Sequence, residues 1–356
     1  MADRAPDGRL EDWADLDEVG WESLLVGNGM SINVSSYFAY DSLYEEACKD
    51  FDGSLDPEDI AIFEEFDTTN FEVVLAKLRD GISLADVLGR SRKPYRERFR
   101  SVQAALGAAV RRVHLEWTEV PPETLAAIKA ELRRYDAIFS TSYDLLIYWS
   151  IGYNENYGRF CDCFWATGRN EFDPDDCDLF PNARPVYYMH GALHLIVEGS
   201  GVTRKLTKSG QTLLDQFGKP IANDPEARPL LITEASPRDK LRAIEGNDYL
   251  AFAYEQLQEA EGPLVVFGHA LGDQDRHLLD AINVNPERPV AISMRKKSKG
   301  KLREQQSDIY GKLRASASDI YFFDAATHSL GSSELTVEAE RTRFLGKWNQ
   351  LPKSRA

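Results

Sequence analysis

The sequence predicts an α/β protein whose mostly parallel sheet is covered by helices on both faces. Short runs of apolar and β-branched residues, typical of buried strands, recur along the chain and are separated by longer helical patterns. This alternation favours a parallel, Rossmann-like sheet, because a parallel connection has to cross over the sheet. The predicted strands cover residues 21–27, 137–141, 186–189, 230–233, 264–267, 290–293 and 320–323.

The composition is typical of a globular protein. Of the 356 residues, 43% are hydrophobic and 28% are charged, which is enough apolar material for a core. No apolar run reaches the roughly 18 residues that suggest a membrane-spanning helix. The first residues, from Met1 to Asp7, precede no apolar stretch and are not expected to form a secretory signal. We therefore expect a cytoplasmic protein with reduced thiols.

The net charge of −16 argues against attraction of the whole protein to nucleic acid or to an anionic membrane. Residues 295–303 are a local exception, because this segment is rich in Lys and Arg. The favoured interpretation of the basic segment is a solvated, mobile surface loop, and a local nucleic-acid contact is the alternative. No membrane association is expected.

Three segments lie outside the predicted sheet. Residues 1–20 are rich in Asp and Glu, so we expect a loosely ordered arm before a domain formed by residues 21–356. The first two strands are separated by an insertion, about residues 42–135, that is far longer than one crossover helix needs. Its second half has the apolar spacing of helices, so it predicts a helical module beside the sheet. A second insertion, about residues 155–184, is aromatic, acidic and cysteine-bearing, and it is predicted to be irregular.

The first predicted strand ends in the turn Gly27-Asn28-Gly29, and Ser31 follows closely. A strand that ends in Gly-x-Gly and turns into a helix lets the backbone approach a pyrophosphate, with the amides of the turn facing the negative charge. Ser31 would add a hydroxyl donor. The third glycine of the usual dinucleotide fingerprint is absent, so a plain strand–turn–helix connection is the alternative.

Two further predicted strands end on polar residues. Thr141, Ser142 and Asp144 follow one of them, and the alternative role for Asp144 is to cap the next helix. His190 and Gly191 follow the other. Neutral imidazole is the natural general base at cellular pH, so His190 is the candidate base, although a lone histidine is more often structural.

A late strand, residues 264–267, is followed by Gly268, His269, Leu271 and Asp273. In an open parallel sheet, ligands bind at the carboxyl ends of the strands. Four strand ends that carry residues of this type therefore predict the rim of one pocket.

Taken in order, these segments resemble the sirtuin-like NAD-binding family. That family has a first-strand Gly-x-Gly-x-Ser turn, a Thr-x-Asn-x-Asp type motif, a strand-terminal His-Gly and a late Gly-x-Ser-Leu loop. The resemblance covers roughly residues 21–41, 136–150, 185–195 and 262–295. It is strongest to the bacterial sirtuin-like domains of anti-phage defence, in which NAD is destroyed and the infected cell stops growing.

The resemblance implies a role for each motif. Gly27, Gly29 and Ser31 would cradle the pyrophosphate, Asp144 would lie near the nicotinamide ribose, and His190 would be the base. The remaining residues expected at the NAD site, with Ser142 beside the reacting centre, are Asn28, Thr141, Gly191, Gly268, His269, Leu271 and Asp273. The implied reaction breaks the nicotinamide–ribose bond and gives nicotinamide and ADP-ribose.

The sequence departs from the family pattern at three points. Ser142 stands where the family has Asn, and Ala270 stands where it has Ser, so two positioned polar groups are missing. The deacylase members hold zinc on two Cys-x-x-Cys pairs, whereas Cys161, Cys163 and Cys177 have a different spacing. No metal and no deacylation are therefore expected.

Two functional hypotheses follow. The first is an NAD+ glycohydrolase that acts as an effector of anti-phage defence. The second, favoured by Ser142 and Ala270, is a catalytically weak subunit that binds NAD or ADP-ribose and serves regulation or scaffolding. With either hypothesis we expect a homo-oligomer, and an ATPase or another defence-system protein as a partner.

Overall fold

The computed structural model describes residues 6–39, 43–154, 160–165, 168–180, 182–207, 213–217, 224, 227–232, 237–313 and 319–337. The strands are β1 (Ser23–Val26), β2 (Ala137–Ser140), β3 (Phe160–Cys161), β4 (Arg184–Tyr188), β5 (Gly191–Val197), β6 (Thr203–Lys205), β7 (Arg228–Leu231), β8 (Leu264–Phe267), β9 (Val290–Met294) and β10 (Ile320–Asp324). The helices are α1 (Trp13–Leu16), α2 (Asn28–Val34), α3 (Leu43–Ala47), α4 (Pro57–Glu65), α5 (Phe71–Val87), α6 (Lys93–Val113), α7 (Pro122–Leu132), α8 (Leu146–Gly152), α9 (Leu213–Gln216), α10 (Pro237–Glu245), α11 (Asp248–Glu259), α12 (Arg276–Ile282) and α13 (Lys299–Leu313). Among these residues, no helix has the length and apolar character needed to cross a bilayer.

Seven of the described strands form one parallel sheet in the order β10-β9-β8-β1-β2-β4-β3. β1 is central, because its Leu24 pairs with Ile138 of β2 on one side and with Val265 of β8 on the other. The chain leaves β1 towards β2 and later returns on the opposite side through β8, so the strand order reverses between β1 and β8. Ligands of open α/β sheets bind outside the carboxyl ends of the strands at such a reversal. The predicted α/β class and parallel sheet are confirmed.

Both faces of the sheet are covered. Along β1, Leu24 and Val26 pack into one buried cluster and Leu25 packs into another, because successive strand residues point to opposite faces. The first cluster includes side chains of α2, α5, α6, α7 and α8, and the second includes side chains of α11, α12 and α13. Burial on both faces explains why β1 is a continuous apolar run in the sequence.

The segment between β1 and β2 is helical, as the sequence predicts, and contains α3 to α7. A capping box starts α4, in which Asp56 and Asp59 each accept a hydrogen bond from the other's backbone N–H. Arg98 of α6 donates to Asp56 at 2.7 Å and to Asp59 at 3.0 Å. This ion pair fixes α6 against the start of α4.

The strand predicted at residues 230–233 does not belong to the main sheet. β7 pairs antiparallel with β5, and β5 pairs antiparallel with β6, in a separate sheet of three described strands. β5 was not predicted, because it begins at Gly191, directly after the His190 that the sequence pattern places at the end of a strand, and because His194 interrupts its apolar run. β3 and β6, also missed, have only two and three residues. Residue 233 lies outside the described residues.

The acidic N-terminal arm is more ordered than predicted. From residue 6 onwards it packs on the domain, with Trp13 and Leu16 buried in the core. Glu11 N donates to Phe322 O at 2.9 Å, so the arm also pairs with β10. The prediction of a loose arm is wrong for residues 6–20, because a few apolar anchors outweigh an acidic composition.

The basic segment, residues 295–303, is not a single loop. α13 begins at Lys299, so the second half of the segment is helical. In the loop before it, Lys296 forms an ion pair with Asp324 at 2.6 Å. The interpretation of the segment as one mobile loop is therefore wrong.

Candidate functional site

A cleft of about 900 Å³ lies at the carboxyl ends of the central strands. Five of the residues predicted from the sequence line it, and they follow β1, β2, β4 and β8: Asn28, Thr141, His190, Gly268 and His269. The structure thus brings together the four strand ends that the sequence assigns to one pocket. The helical insertion also lines the cleft, through Tyr44, Phe63, Glu64, Asp67, Thr68 and Thr69.

A second cleft, of about 930 Å³, lies on the β9 and β10 side of the first. Its lining includes Gly29 and Ile32 of α2, Ser293 of β9 and Arg295. The loop of residues 268–270 lines both clefts. A ligand long enough to pass this loop could occupy both.

The glycines of the first turn allow the loop after β1 to pack closely against the loop after β8. Gly27 N donates to Phe267 O and Gly29 N donates to Gly268 O, both at 2.8 Å. A Cβ atom on Gly29 would lie 2.6 Å from Gly268 O, and Gly268 itself has a φ of +68°. The amides of Gly27 and Gly29 are therefore used within the protein. The implied cradle for a pyrophosphate cannot consist of these two amides.

Ser31, Ser142 and Asp144 form a closed hydrogen-bonded cluster behind the cleft. All three are buried, and the hydroxyls of Ser31 and Ser142 both donate to Asp144 Oδ2. Asp144 Oδ1 accepts from Leu146 N at 2.8 Å, which is the helix-capping role that the sequence left as an alternative. Because each hydroxyl has one hydrogen, both serines spend their donor on Asp144.

His190 sits at the corner between the two sheets. It follows β4 and precedes β5, and its carbonyl accepts from Ile232 N at 2.8 Å. Gly191 has a φ of +75°, and a Cβ atom there would lie only 1.9 Å from Leu230 O. Only glycine fits this crossing, and it fixes the backbone of His190 so that the side chain, only 5% exposed, lines the cleft.

A second polar cluster surrounds the His190 ring. Its Nε2 lies 2.9 Å from Nε2 of His277, which belongs to α12. Asp275, directly before α12, forms an ion pair with Lys240 of α10 at 2.7 Å, and its other oxygen lies 3.4 Å from His269 Nε2. These five side chains come from four separate elements of the chain.

Burial sets the charges in this cluster. It lowers the pKa of His190 well below the usual value, and the neighbouring His277 lowers it further. Burial likewise lowers the pKa of His277, to about 4. Burial alone would raise the pKa of Asp275, but the hydrogen bond from His269 and the nearby positive charge bring it below the usual range. At neutral pH two neutral imidazoles therefore lie beside an ionised carboxylate.

The sequence analysis missed Lys240, Asp275 and His277. The spacing of His269, Asp275 and His277 within one segment was a usable signal, since it follows a predicted strand end. Lys240 carried no such signal, because it comes from a helix preceding that strand in the chain.

Six of the predicted NAD contacts do not line the first cleft, and they are Gly27, Gly29, Ser31, Gly191, Leu271 and Asp273. Leu271 is fully buried in the core, where its backbone N donates to His269 Nδ1 at 3.0 Å. Asp273 is exposed and forms an ion pair with Lys312 at 2.9 Å. The side chains of Leu271 and Asp273 point away from the cleft, and the sequence pattern does not report the direction of a side chain.

The three clustered cysteines lie apart from the cleft residues. Cys163 Sγ is 3.3 Å from Cys177 Sγ, and all three thiols are free. Hydrogen bonds from Cys163 and Cys177 lower the pKa of Cys161 to about 3. Their proximity was not evident from their spacing in the sequence.

Fold and cleft together define an α/β protein with a cleft at the reversal point of a parallel sheet, which is where open α/β sheets generally bind ligands. The chain belongs to the family described as "Domain of unknown function (DUF4917)", whose model matches residues 24–330. No curated protein matches it. One similar solved structure is titled "Structural Basis for the Mechanism and Regulation of Sir2 Enzymes". The match covers 84% of this chain and 94% of the other chain, with 11% sequence identity and a TM-score of 0.33. A likeness this distant says nothing about ligand or reaction, so NAD is a matter for proposal.

Proposed function

We propose that this protein binds NAD at the reversal between β1 and β8 and hydrolyses the nicotinamide–ribose bond. The observation that carries the proposal is His190, a buried imidazole at a strand end that lines a cleft of about 900 Å³. The second cleft supports an elongated ligand, because the two clefts share residues 268–270 and a dinucleotide has two halves to accommodate.

Burial lowers the pKa of His190, so the ring is unprotonated and can accept a proton at neutral pH, although it is a weaker base than a free imidazole. In the proposed reaction His190 takes a proton from water, and the water oxygen forms a bond to C1′ of the nicotinamide ribose. The bond from C1′ to the pyridinium nitrogen breaks, and nicotinamide leaves with the electron pair. The products are nicotinamide, ADP-ribose and one proton.

Local cations compensate for the acidic character of the chain. NAD carries a diphosphate, which the net charge of −16 would repel. Lys240 lines the first cleft, and Arg295 and Lys297 line the second. Lys240 is already paired with Asp275. Three acidic side chains also line the first cleft, and they are Glu64, Asp67 and Asp239. The second cleft, with Arg295 and Lys297, is therefore the side that supports a diphosphate.

A second candidate, a subunit that binds NAD or ADP-ribose with little turnover, is favoured by the cluster behind the cleft. Ser31 and Ser142 spend their hydroxyl hydrogens on Asp144, so neither donates to a ribose. Ala270 also lines both clefts without a hydroxyl. A role in anti-phage defence, a homo-oligomer and an ATPase or other partner protein belong to the proposal as implications of the sequence resemblance.

Proton NMR of NAD mixed with the full-length protein tests the proposal, since line broadening reports binding and free nicotinamide reports cleavage. We expect nicotinamide to accumulate with the wild type and its rate to fall by at least about 100-fold in His190→Ala. The matched control is Asp280→Asn, an exposed acid of α12 with an ion-pair partner in Arg276, which should keep the wild-type rate.

Each outcome separates the candidates. Broadened NAD lines without nicotinamide would favour the binding subunit over the hydrolase. Sharp, unchanged NAD lines with the wild type would refute both. Equal cleavage by wild type and His190→Ala would remove His190 from the reaction.

A further inference from the structure

The cluster around His190 has the dimensions of a metal site. His190, His277 and Asp275 each offer one potential ligand atom, and these three atoms all lie within 4.8 Å of one another. Nε2 of His190 and Nε2 of His277 are 2.9 Å apart. Two nitrogen ligands at about 2.1 Å from an ion would be about 3.0 Å apart at a right angle and about 3.4 Å apart in the tetrahedral geometry of zinc. An ion therefore fits between the rings once they separate by up to about 0.5 Å.

We propose that His190, His277 and Asp275 bind one divalent transition-metal ion. Two imidazoles and one carboxylate are a ligand set used for zinc and for non-haem iron. Mg²⁺ and Ca²⁺ prefer oxygen ligands only, so the set discriminates against them. His190 and Asp275 also line the cleft, which leaves further coordination positions open to water or to a ligand.

The surroundings are suited to holding the ligands in place. Metal ligands must be free of protons, and burial keeps both imidazoles neutral at neutral pH. Asp275 keeps its ion pair with Lys240, because a carboxylate has about four lone-pair positions and can accept from Lys240 while it binds an ion. Lys240 thereby orients the carboxylate, as outer partners of metal ligands do.

Ion binding at this site requires no NAD, but an ion and the proposed reaction would compete for the same nitrogen of His190. A bound ion takes the Nε2 lone pair of His190, so it would withhold that nitrogen from a reaction in which His190 is the base. Ion binding itself can be measured on the free protein. Failure of the metal site and failure of the proposed hydrolysis are thus separate results.

Titration of the metal-stripped, full-length protein with Co²⁺ tests the site, because visible absorption reports both stoichiometry and ligand type. We expect one ion per chain, and we expect the affinity to fall by at least about 100-fold in His277→Ala and in Asp275→Asn. Asp280→Asn, on the same helix and exposed, should bind like the wild type. Mg²⁺ should not compete.

The cysteine cluster is the competing site, so the titration is repeated in Cys177→Ser. Undiminished binding there, without a thiolate charge-transfer band in the wild type, supports the site at His190. A thiolate band that disappears in Cys177→Ser would place the ion at the cysteines and overturn the proposal, as would full affinity in both ligand variants. His277→Ala removes a buried ring and could impair folding, so a second measurement uses the near-isosteric Asp275→Asn. Thermal melting is recorded with and without Zn²⁺. A rise in Tm with Zn²⁺ in the wild type that is absent in Asp275→Asn supports the site, and an equal rise in both proteins overturns it.

Discussion

Two polar clusters occupy the same edge of the sheet and differ in what they can still bind. In the cluster of Ser31, Ser142 and Asp144, the donors and the carboxylate are matched to one another and to the start of α8. In the cluster of His190, His277 and Asp275, two neutral rings face each other at 2.9 Å and the group borders the cleft. The first cluster is satisfied within the fold, whereas in the second the two rings share one hydrogen bond and the buried Nδ1 of His277 has no partner among the described residues.

The difference teaches that a polar residue at a strand end is not by itself a ligand contact. Asp144 follows β2 as the sequence resemblance requires, yet its carboxylate stabilises a helix and two hydroxyls. Asp275 belongs to no motif of that resemblance, yet it borders the cleft. A polar cluster is therefore a candidate site only if some of its hydrogen-bonding atoms have no partner within the fold. Substitutions in the first cluster should mainly change stability, and substitutions in the second should mainly change binding or activity.

The largest effect should come from Asp144→Ala. The change leaves two buried hydroxyls and the N–H of Leu146 without their acceptor, and it removes the cap of α8. We expect the free energy of unfolding to fall by about 4 kcal/mol, because hydrogen bonds to a buried charge contribute more than neutral ones. Urea unfolding followed by circular dichroism measures this change.

The exposed Asp280→Ala is the control, and it should change the free energy of unfolding by no more than about 0.5 kcal/mol. A loss below about 1 kcal/mol for Asp144→Ala would mean that the first cluster is not structural. The contrast between a closed and an open cluster would then be lost.

The positions of the strands could be predicted from the sequence, but the directions of side chains could not. β1, β2, β4, β8, β9 and β10 follow from short apolar runs, because a strand buried on both faces has to be apolar throughout. β5 was missed because its run contains His194 and directly follows the His190 motif, which the sequence pattern places at a strand end. Thr141 and His190 line the cleft, because they follow parallel strands.

The cluster of His190, His277 and Asp275 could not be predicted from the sequence, because its members meet only in the tertiary structure. His190 and His277 are 87 positions apart in the chain, and Lys240 comes from a helix packed beside α12. Sequence periodicity reports which face of an element is buried, but it does not report which polar side chains meet across elements. Leu271 and Asp273 show the converse, since both follow β8 but one points into the core and the other into solvent.

An intermediate loss of stability should occur at acidic pH, and it should arise from a buried histidine outside both clusters. Outside both clusters, His328 is fully buried, with Nδ1 accepting from Leu330 N at 3.1 Å and Nε2 lying 3.1 Å from Tyr135 Oη. Burial and Arg134 lower the pKa of His328 from 6.5 to about 3. The unfolded chain therefore takes up a proton that the folded protein refuses, so stability present at neutral pH is lost as the pH falls below 6.5.

Between pH 7 and pH 5, protonation of His328 in the unfolded chain should lower the free energy of unfolding of the wild type by about 2 kcal/mol, since each pKa unit corresponds to about 1.4 kcal/mol. Urea unfolding at the two pH values measures the loss. His328→Asn is less stable at pH 7 but lacks this contribution, so its pH dependence should be smaller by that amount. An identical pH dependence in both proteins would contradict the assignment.

The smallest effect should come from Ser142→Ala, and it tests the contrast most directly. Asp144 loses one hydroxyl donor but keeps Ser31 and the N–H of Leu146, so we expect a loss of about 1 kcal/mol in urea unfolding. Ser31→Ala should behave alike, whereas the double variant should lose more than the sum, because Asp144 Oδ2 then has neither hydroxyl. NAD binding and cleavage should change by less than about threefold in Ser142→Ala, since its hydrogen already serves Asp144. A tenfold loss of cleavage at unchanged stability would instead return Ser142 to the reacting centre, and both clusters would then serve the same ligand.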